Sequence, residues 1–196
     1  ELLTSGLTAL AFTILGIILY ISYRFRRDYA ICAIIALLHD VIIVMGLFAF
    51  LGLYKGVEVN SLFITAILTT FGFSVHDTIV VFDRIREGVQ TSSKSELDDV
   101  VNESVSQTLS RTTLTSLTTF FVVLTLYIFG GEIISGFSFT LLVGVIVGTY
   151  SSIFVAASFL VQLKFSIANY RAKEAQKEKK QKEKDRMRAM YESGTV

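Results

Sequence analysis

Five long apolar runs constrain this chain more than anything else in it. A helix that crosses a bilayer needs roughly 20 consecutive, mostly apolar residues. Such stretches occur at about 2–23, 29–54, 61–82, 112–129 and 137–163. The fourth is short and rich in threonine, so hydropathy supports it least. Four spans, however, would put the basic C-terminal segment on the side opposite Arg24, Arg26 and Arg27, and five spans bring them together. A content of 52% hydrophobic and 18% charged residues, with a mean hydropathy of +0.60, departs from soluble domains in the same direction. The reading is an all-α, polytopic transmembrane helix bundle.

Charge is distributed unevenly. Residues 164–196 hold ten Lys/Arg and five Asp/Glu, whereas residues 1–163 hold eight and twelve. Basic residues mark the cytoplasmic side of a membrane protein. Arg24, Arg26 and Arg27 follow the first span; Arg84, Arg86, Lys94 and Arg111 lie between the third and fourth; the opposite side carries only Lys55, with Glu58 and Glu132. The chain's N-terminus is therefore expected outside and its tail in the cytoplasm. The tail, 164–196, reads as a solvated basic helix, with Glu178 and Lys182 at i,i+4 spacing. Binding of its ten basic residues to anionic lipid, or to ribosomal RNA, is the lesser alternative to a solvated face, and no nucleic-acid partner is expected.

The connection from Asp83 to Arg111 is too long for a bare turn. Ser95 with Asp98 has the form of a capping box, and Leu97, Val101, Val105 and Leu109 recur every four residues. Together they predict an amphipathic helix over about 95–110 at the cytoplasmic interface, or a hairpin reaching into solvent. The fifth span carries Gly136, Thr140, Gly144, Gly148, Ser152 and Ala156, a small residue at every fourth position. Lipid gives helices no hydrophobic drive to associate, so close approach of backbones matters. This row is read first as a contact with a neighbouring span and second as an interface with a partner. The lone Cys32 allows no disulfide within one chain, and no Cys/His spacing suits a metal. Proline is absent, so any kink must come from glycine or inserted polar groups. Glu1 opens the chain without a methionine or a charged leader, which suggests a fragment or a processed product.

Against this apolar background stand the chain's two histidines, each followed by aspartate: His39-Asp40 and His76-Asp77. At ~1.5 Å per residue, Asp77 lies ~24 Å from Ser61 and Asp40 ~16 Å from Tyr29, both inside the hydrocarbon. A carboxylate there costs several kcal/mol, on the order of 3, unless paired, hydrated or protonated. Thr70, Ser74, Asp77 and Arg84 share a helical face, and Arg111, Thr115, Thr118 and Thr119 line another, with Thr112, Thr113 and Ser116 close by. Burial favours a protonated acid and a guanidinium favours the carboxylate, so an Asp77–Arg111 pairing would suit a proton relay supported by His76 and these hydroxyls. The alternative is a static buried ion pair with the hydroxyls as interhelical glue. His39-Asp40 reads as a structural polar pair fixing helix register. Sodium in place of the proton would ask for more oxygen ligands near Asp77, which Thr70 and Ser74 are placed to supply; no other cofactor is expected. An intramembrane aspartyl protease is set aside, because the two acids lie at different depths and lack that class's motifs. No enzyme is expected.

The segments GFSVHDTIVVFDRIREG and NESVSQTLSRTTLTSLTT resemble the fourth-helix signature of the SecF family of protein-export membrane subunits and the segment that follows it. ALLHDV and GGEIISGFSFTLLVGVIVGTYSSIFVA match the same pattern, and the likeness runs from about residue 1 to 165. The resemblance implies half of a core of the resistance-nodulation-division type, in which the five spans are helices two to six and a first helix and periplasmic domain precede them. It implies pairing with SecD, association with the SecYEG channel, preprotein substrates, and use of the proton-motive force in a bacterial inner membrane. It places Asp77 on the helix-four aspartate and Arg111 on the helix-five arginine of the family's proton pathway. His76 stands where the family often has asparagine. Two other functions compete: a small-molecule or lipid transporter on the same scaffold, and a passive subunit that stabilises a translocon.

Overall fold

A computed structural model describes residues 2–55, 60–92, 96–163 and 167–192. Five helical spans are long and apolar enough to cross a membrane. They are α1 (Leu2–Arg24), α2 (Arg27–Lys55), α3 (Ser61–Thr91), α4 (Leu97–Phe129) and the run from α5 (Glu132–Tyr150) through a π turn (Ser151–Ala156) to α6 (Ala157–Gln162). A separate helix, α7 (Ile167–Glu192), carries the basic tail. No strand occurs among the described residues.

Local signals set the ends. Asn60 caps α3, its side-chain oxygen accepting from the Phe63 amide at 2.9 Å, which satisfies one of the donors a helix start leaves open. Gly130 and Gly131 turn α4 into α5, and Gly131 has a φ of 78°, a conformation that side-chain-bearing residues avoid.

One expectation is corrected here. The helix foreseen over about 95–110 is not a separate element: α4 runs unbroken for 33 residues from Leu97 to Phe129. Hydropathy falls over Asn102–Arg111, but backbone hydrogen bonds are indifferent to side-chain polarity, and no proline or glycine interrupts the ladder. Of the proposed capping box, Ser95 lies outside the described residues; Glu96 takes the N-cap position and makes no side-chain capping bond. The every-fourth apolar stripe is also only partly the packing face. Leu97 and Val101 are buried, but the row continues through Ser104, Thr108, Thr112 and Ser116, while Leu109 is exposed. Small hydroxyls let α4 come close to α3: a Cβ on Gly88 would stand 2.5 Å from Ser104 Oγ.

The helix α3 is the axis of the bundle, packed on α5 and α4 and more lightly on α1 and α2. Its contact with α5 follows the predicted small residues. Gly144 lies against Thr70, where an added Cβ would collide with the threonine hydroxyl, and Gly148 lies against Ser74. Ser152 continues the row with hydrogen bonds to α3. Gly136 does not join it, being exposed with nothing near its missing side chain.

Two larger apolar clusters fill the ends of the bundle, and a smaller third joins Ala66, Val123, Leu141 and Leu142 where α3, α4 and α5 meet. At the end carrying Arg24, Arg84 and Arg86, Phe25, Tyr29, Phe82, Ile85 and Leu160 pack together, with the Tyr29 and Phe82 rings edge-on at 5.5 Å. Toward the opposite end, Leu37, Val44, Phe48, Phe63, Ile67 and Phe71 form a second cluster. Between them the interior is polar.

Candidate functional site

The polar layer is built from short stretches of four helical spans, the α3 stretch covering about two turns. Its buried members are Asp40 on α2; Thr70, Ser74, Asp77 and Thr78 on α3; Thr112 and Ser116 on α4; and Ser151 and Ser152 on the π turn. Thr149 on α5 joins them, half-buried. In an apolar medium such groups must bond to one another, and nearly all of them do.

Asp40 is fully buried. Its Oδ1 lies 3.2 Å from His39 Nδ1, and its Oδ2 accepts a hydrogen bond from the Ser74 hydroxyl. The Ser74 carbonyl in turn accepts from Thr78 Oγ1 at 3.0 Å and Ser152 Oγ at 3.4 Å, and those two hydroxyls are 3.1 Å apart. Ser151 Oγ donates to the Ala36 carbonyl at 3.3 Å, fastening the π turn to α2. A π turn leaves one residue surplus to the α-helical repeat and often sits at functional sites.

Asp77 is 4% exposed and faces the seam of α3, α4 and α5. Its one hydroxyl contact among the described residues is with Ser116, whose Oγ lies 3.5 Å from Oδ2. That serine also reaches its own helix, with Oγ 2.7 Å from the Thr112 carbonyl. It has one proton to give, and the shorter contact takes it. Thr149 Oγ1 lies 2.8 Å from Ser116 Oγ and 2.7 Å from the Val145 carbonyl, so it faces the same choice. Asp77 is thus a buried carboxylate whose hydroxyl neighbours are committed elsewhere.

The structure does not bring Asp77 and Arg111 together. No ion pair joins them, and Arg111, Thr115 and Thr118 lie on an exposed face of α4, with Thr119 half-buried. Their hydroxyls bond back to their own helix. His76 is exposed as well. Arg84, expected on the Asp77 face, reaches α4 instead: its Nε and Nη2 donate to Gln107 Oε1 at 2.9 and 2.5 Å, and Nη1 pairs with Glu87 at 2.5 Å. Thr70 Oγ1 is buried without a hydrogen-bond partner, pressed against Gly144. Among the described residues no cluster of His, Cys, Asp or Glu could hold a metal ion, and Cys32 is buried and unbridged.

Sequence reasoning saw His39-Asp40 as a self-contained pair and missed its link through Ser74 to α3. It also passed over Thr78, Thr149 and Ser151. The available signal was the small-residue row itself, since Ser152 belongs to it and Thr149 and Ser151 flank it.

A bundle of five membrane-crossing helices with two carboxylates locked in its middle defines a class: a polytopic membrane protein of transporter-like architecture. Comparison with known proteins narrows this. The family profile described as "Protein export membrane protein SecD/SecF, C-terminal" matches residues 1–166, and the chain belongs to that family. The chain is 43% identical over 196 residues to the protein translocase subunit SecF of Helicobacter pylori strain J99, covering 100% of this chain and 59% of the relative. To the SecF of Thermobaculum terrenum it is 51% identical over 166 residues, covering 82% of this chain and 52% of that protein. It therefore spans somewhat more than half the length of these curated relatives. A crystal structure of SecDF in a super-membrane-facing form superposes with a TM-score of 0.71 at 40% identity, over 84% of this chain and 21% of the other. A second SecDF structure, of a translocon-associated membrane protein from Thermus, gives 0.70 at 41% identity, over 75% of this chain and 20% of that one.

Proposed function

We propose that this chain is the membrane core of a SecF subunit that works with SecD in a bacterial inner membrane, using the proton-motive force to promote preprotein translocation through SecYEG and release on the outer side. In this reading the N-terminus faces outward and the tail faces the cytoplasm, as the excess of arginine at one end of the bundle favours. Family membership supports the subunit assignment. The observation that carries the coupling role is Asp77 itself, a buried acid whose one hydroxyl neighbour among the described residues is better bonded elsewhere. Such a group can bind or lose a proton without dismantling a fixed network.

The outward turn of Arg111 supports a partner. An arginine on a membrane helix is costly against lipid unless it snorkels to the surface or meets an acid, and Thr115 and Thr118 extend its face along α4. A SecD helix laid on that face would supply the missing counter-charge. Arg111 then belongs to the contact between subunits, and Asp77 to the interior of this one. Protonation of Asp77 would change what α4 packs against and pass the shift to the partner.

The test is preprotein translocation into inverted vesicles containing the full-length protein and SecD under an imposed proton gradient. Asp77→Asn should assemble normally and lose the gradient-dependent component, and Arg111→Met should lose it together with part of its hold on SecD. Undiminished stimulation in Asp77→Asn would instead make the protein a passive stabiliser of the translocon.

A further inference from the structure

We infer that Asp40 is a second proton-binding carboxylate of the coupling site, loaded through the ring of His39 and tied to the Asp77 helix by Ser74. The inference rests on the coupling role proposed above and adds to it a residue on a different helix. Its ground is geometric. Asp40 has no exposure to surroundings of its own, yet one oxygen touches an imidazole whose side chain is 30% exposed. The other accepts from a serine one turn of α3 away from Asp77. The carboxylate is thus enclosed, but the group beside it is not.

The chemistry balances within these residues. With its proton on Nδ1, the neutral His39 ring donates to Asp40 Oδ1. A proton arriving on Nε2, the ring nitrogen not engaged by Asp40, makes the ring cationic; the Nδ1 proton then passes to Oδ1. The ring is left neutral as the other tautomer, and Asp40 becomes a carboxylic acid. No oxidant, metal or further reactant is involved.

The groups facing Asp40 leave that change dependent on the histidine. From α3 come Ser74 in contact and Asp77 a turn away; the π turn contributes only Ser151 and Ser152. The charged residue described on α1 is Arg24, which pairs with Asp83 at the basic end. The α5–α6 run carries no basic residue, and among the described residues no cation other than His39 is positioned to hold Asp40 ionised. Ser74 then connects the event to the centre: its hydroxyl bonds to Asp40, while its carbonyl receives Thr78 and Ser152 at the α3–π-turn seam. A structural pair would need none of this. Burying an acid against a half-open histidine is a poor way to fix register when an asparagine would serve.

Infrared spectroscopy of the full-length protein with its SecD partner in liposomes, scanned across pH, reads carboxylic-acid groups directly. Among the many carboxyl bands that appear as pH falls, the wild type should include two that belong to Asp40 and Asp77. Asp40→Asn should remove one, Asp77→Asn the other, and His39→Gln should shift the Asp40 band while leaving its Ser74 bond in place. In the translocation assay Asp40→Asn and His39→Gln should both lose gradient-dependent stimulation. A spectrum unchanged by Asp40→Asn at every pH overturns the inference. If Asp40→Asn fails to assemble, His39→Gln decides, and unchanged bands with unchanged translocation overturn the inference. Loss of stimulation in Asp77→Asn alone would sink the role of Asp40 and leave the proposed function standing. Stimulation that survives in Asp77→Asn would sink that function whatever Asp40 does.

Discussion

The two main neighbours of α3, α5 and α4, are held to it in different ways. Against α5 it is joined by absent side chains: Gly144 and Gly148 let Thr70 and Ser74 approach the α5 backbone, and Ser152 adds hydrogen bonds. Against α4 it is joined by small hydroxyls, an arginine–glutamine bridge and one long contact at Asp77. Of the most apolar window in each span, 50% is buried for the α5–α6 run and only 17% for α4. The α5 side has no spare room, whereas the α4 side trades one polar partner for another at little cost. The part of the bundle free to respond to the charge on Asp77 is accordingly α4.

That contrast can be broken from the α5 side first. Gly144→Leu should destabilise the protein most, by about 1–3 kcal/mol or more, because its Cβ collides with Thr70; unfolding in detergent measures it. Gly136→Leu, on the same helix but in open space, serves as the control and should change nothing. Gly88→Ala, on the α4 side, should cost less, about 1 kcal/mol, since the opposing Ser104 Oγ can rotate away. Ser116→Ala should cost roughly 0.5–1.5 kcal/mol as a lost hydrogen bond. In the complete complex it should also alter gradient-driven translocation, which a merely structural serine would not. Thr115→Val, on the outward face of α4, should stay within about 0.5 kcal/mol in the isolated chain. A larger loss only when SecD is present would sharpen the assignment of that face to the partner, and co-purification measures it.

Much of this architecture was readable from pattern. Length and hydropathy marked the five spans because a bilayer imposes both, and the every-fourth row of small residues identified the α5 contact because glycine has little other reason to recur so. Asp77 stood out by its cost alone. The outward turn of Arg111 has a geometric source. Spacing tells which residues share a face, but not which face turns inward. Arg111 and Ser116 are five positions apart, ~140° around the helix at ~100° per residue, and only packing chooses between them. The hydroxyl face won because Thr112 and Ser116 are short enough to let α4 close on α3, whereas an arginine there would hold the helices apart. The union of Asp40 with Ser74 was illegible for a different reason: it depends on the relative height of two antiparallel helices, which no single-helix pattern encodes.

The π turn has a consequence for the timing of the small-residue row. Positions four apart on an α-helix slip by ~40° at each step, so the five steps of a row of six would carry it ~200°, just past the far side. The wider turn at Ser151–Ala156, whose bonds span five residues, takes back part of that slip. It acts as a leap day does in a calendar, one surplus unit that restores phase. Gly144 and Gly148 meet α3 before the turn begins and Ser152 within it, and after it Ala156 and Leu160 still arrive in the apolar core beneath. A single residue deleted from the turn should therefore disturb the basic end of the bundle more than the site of the cut.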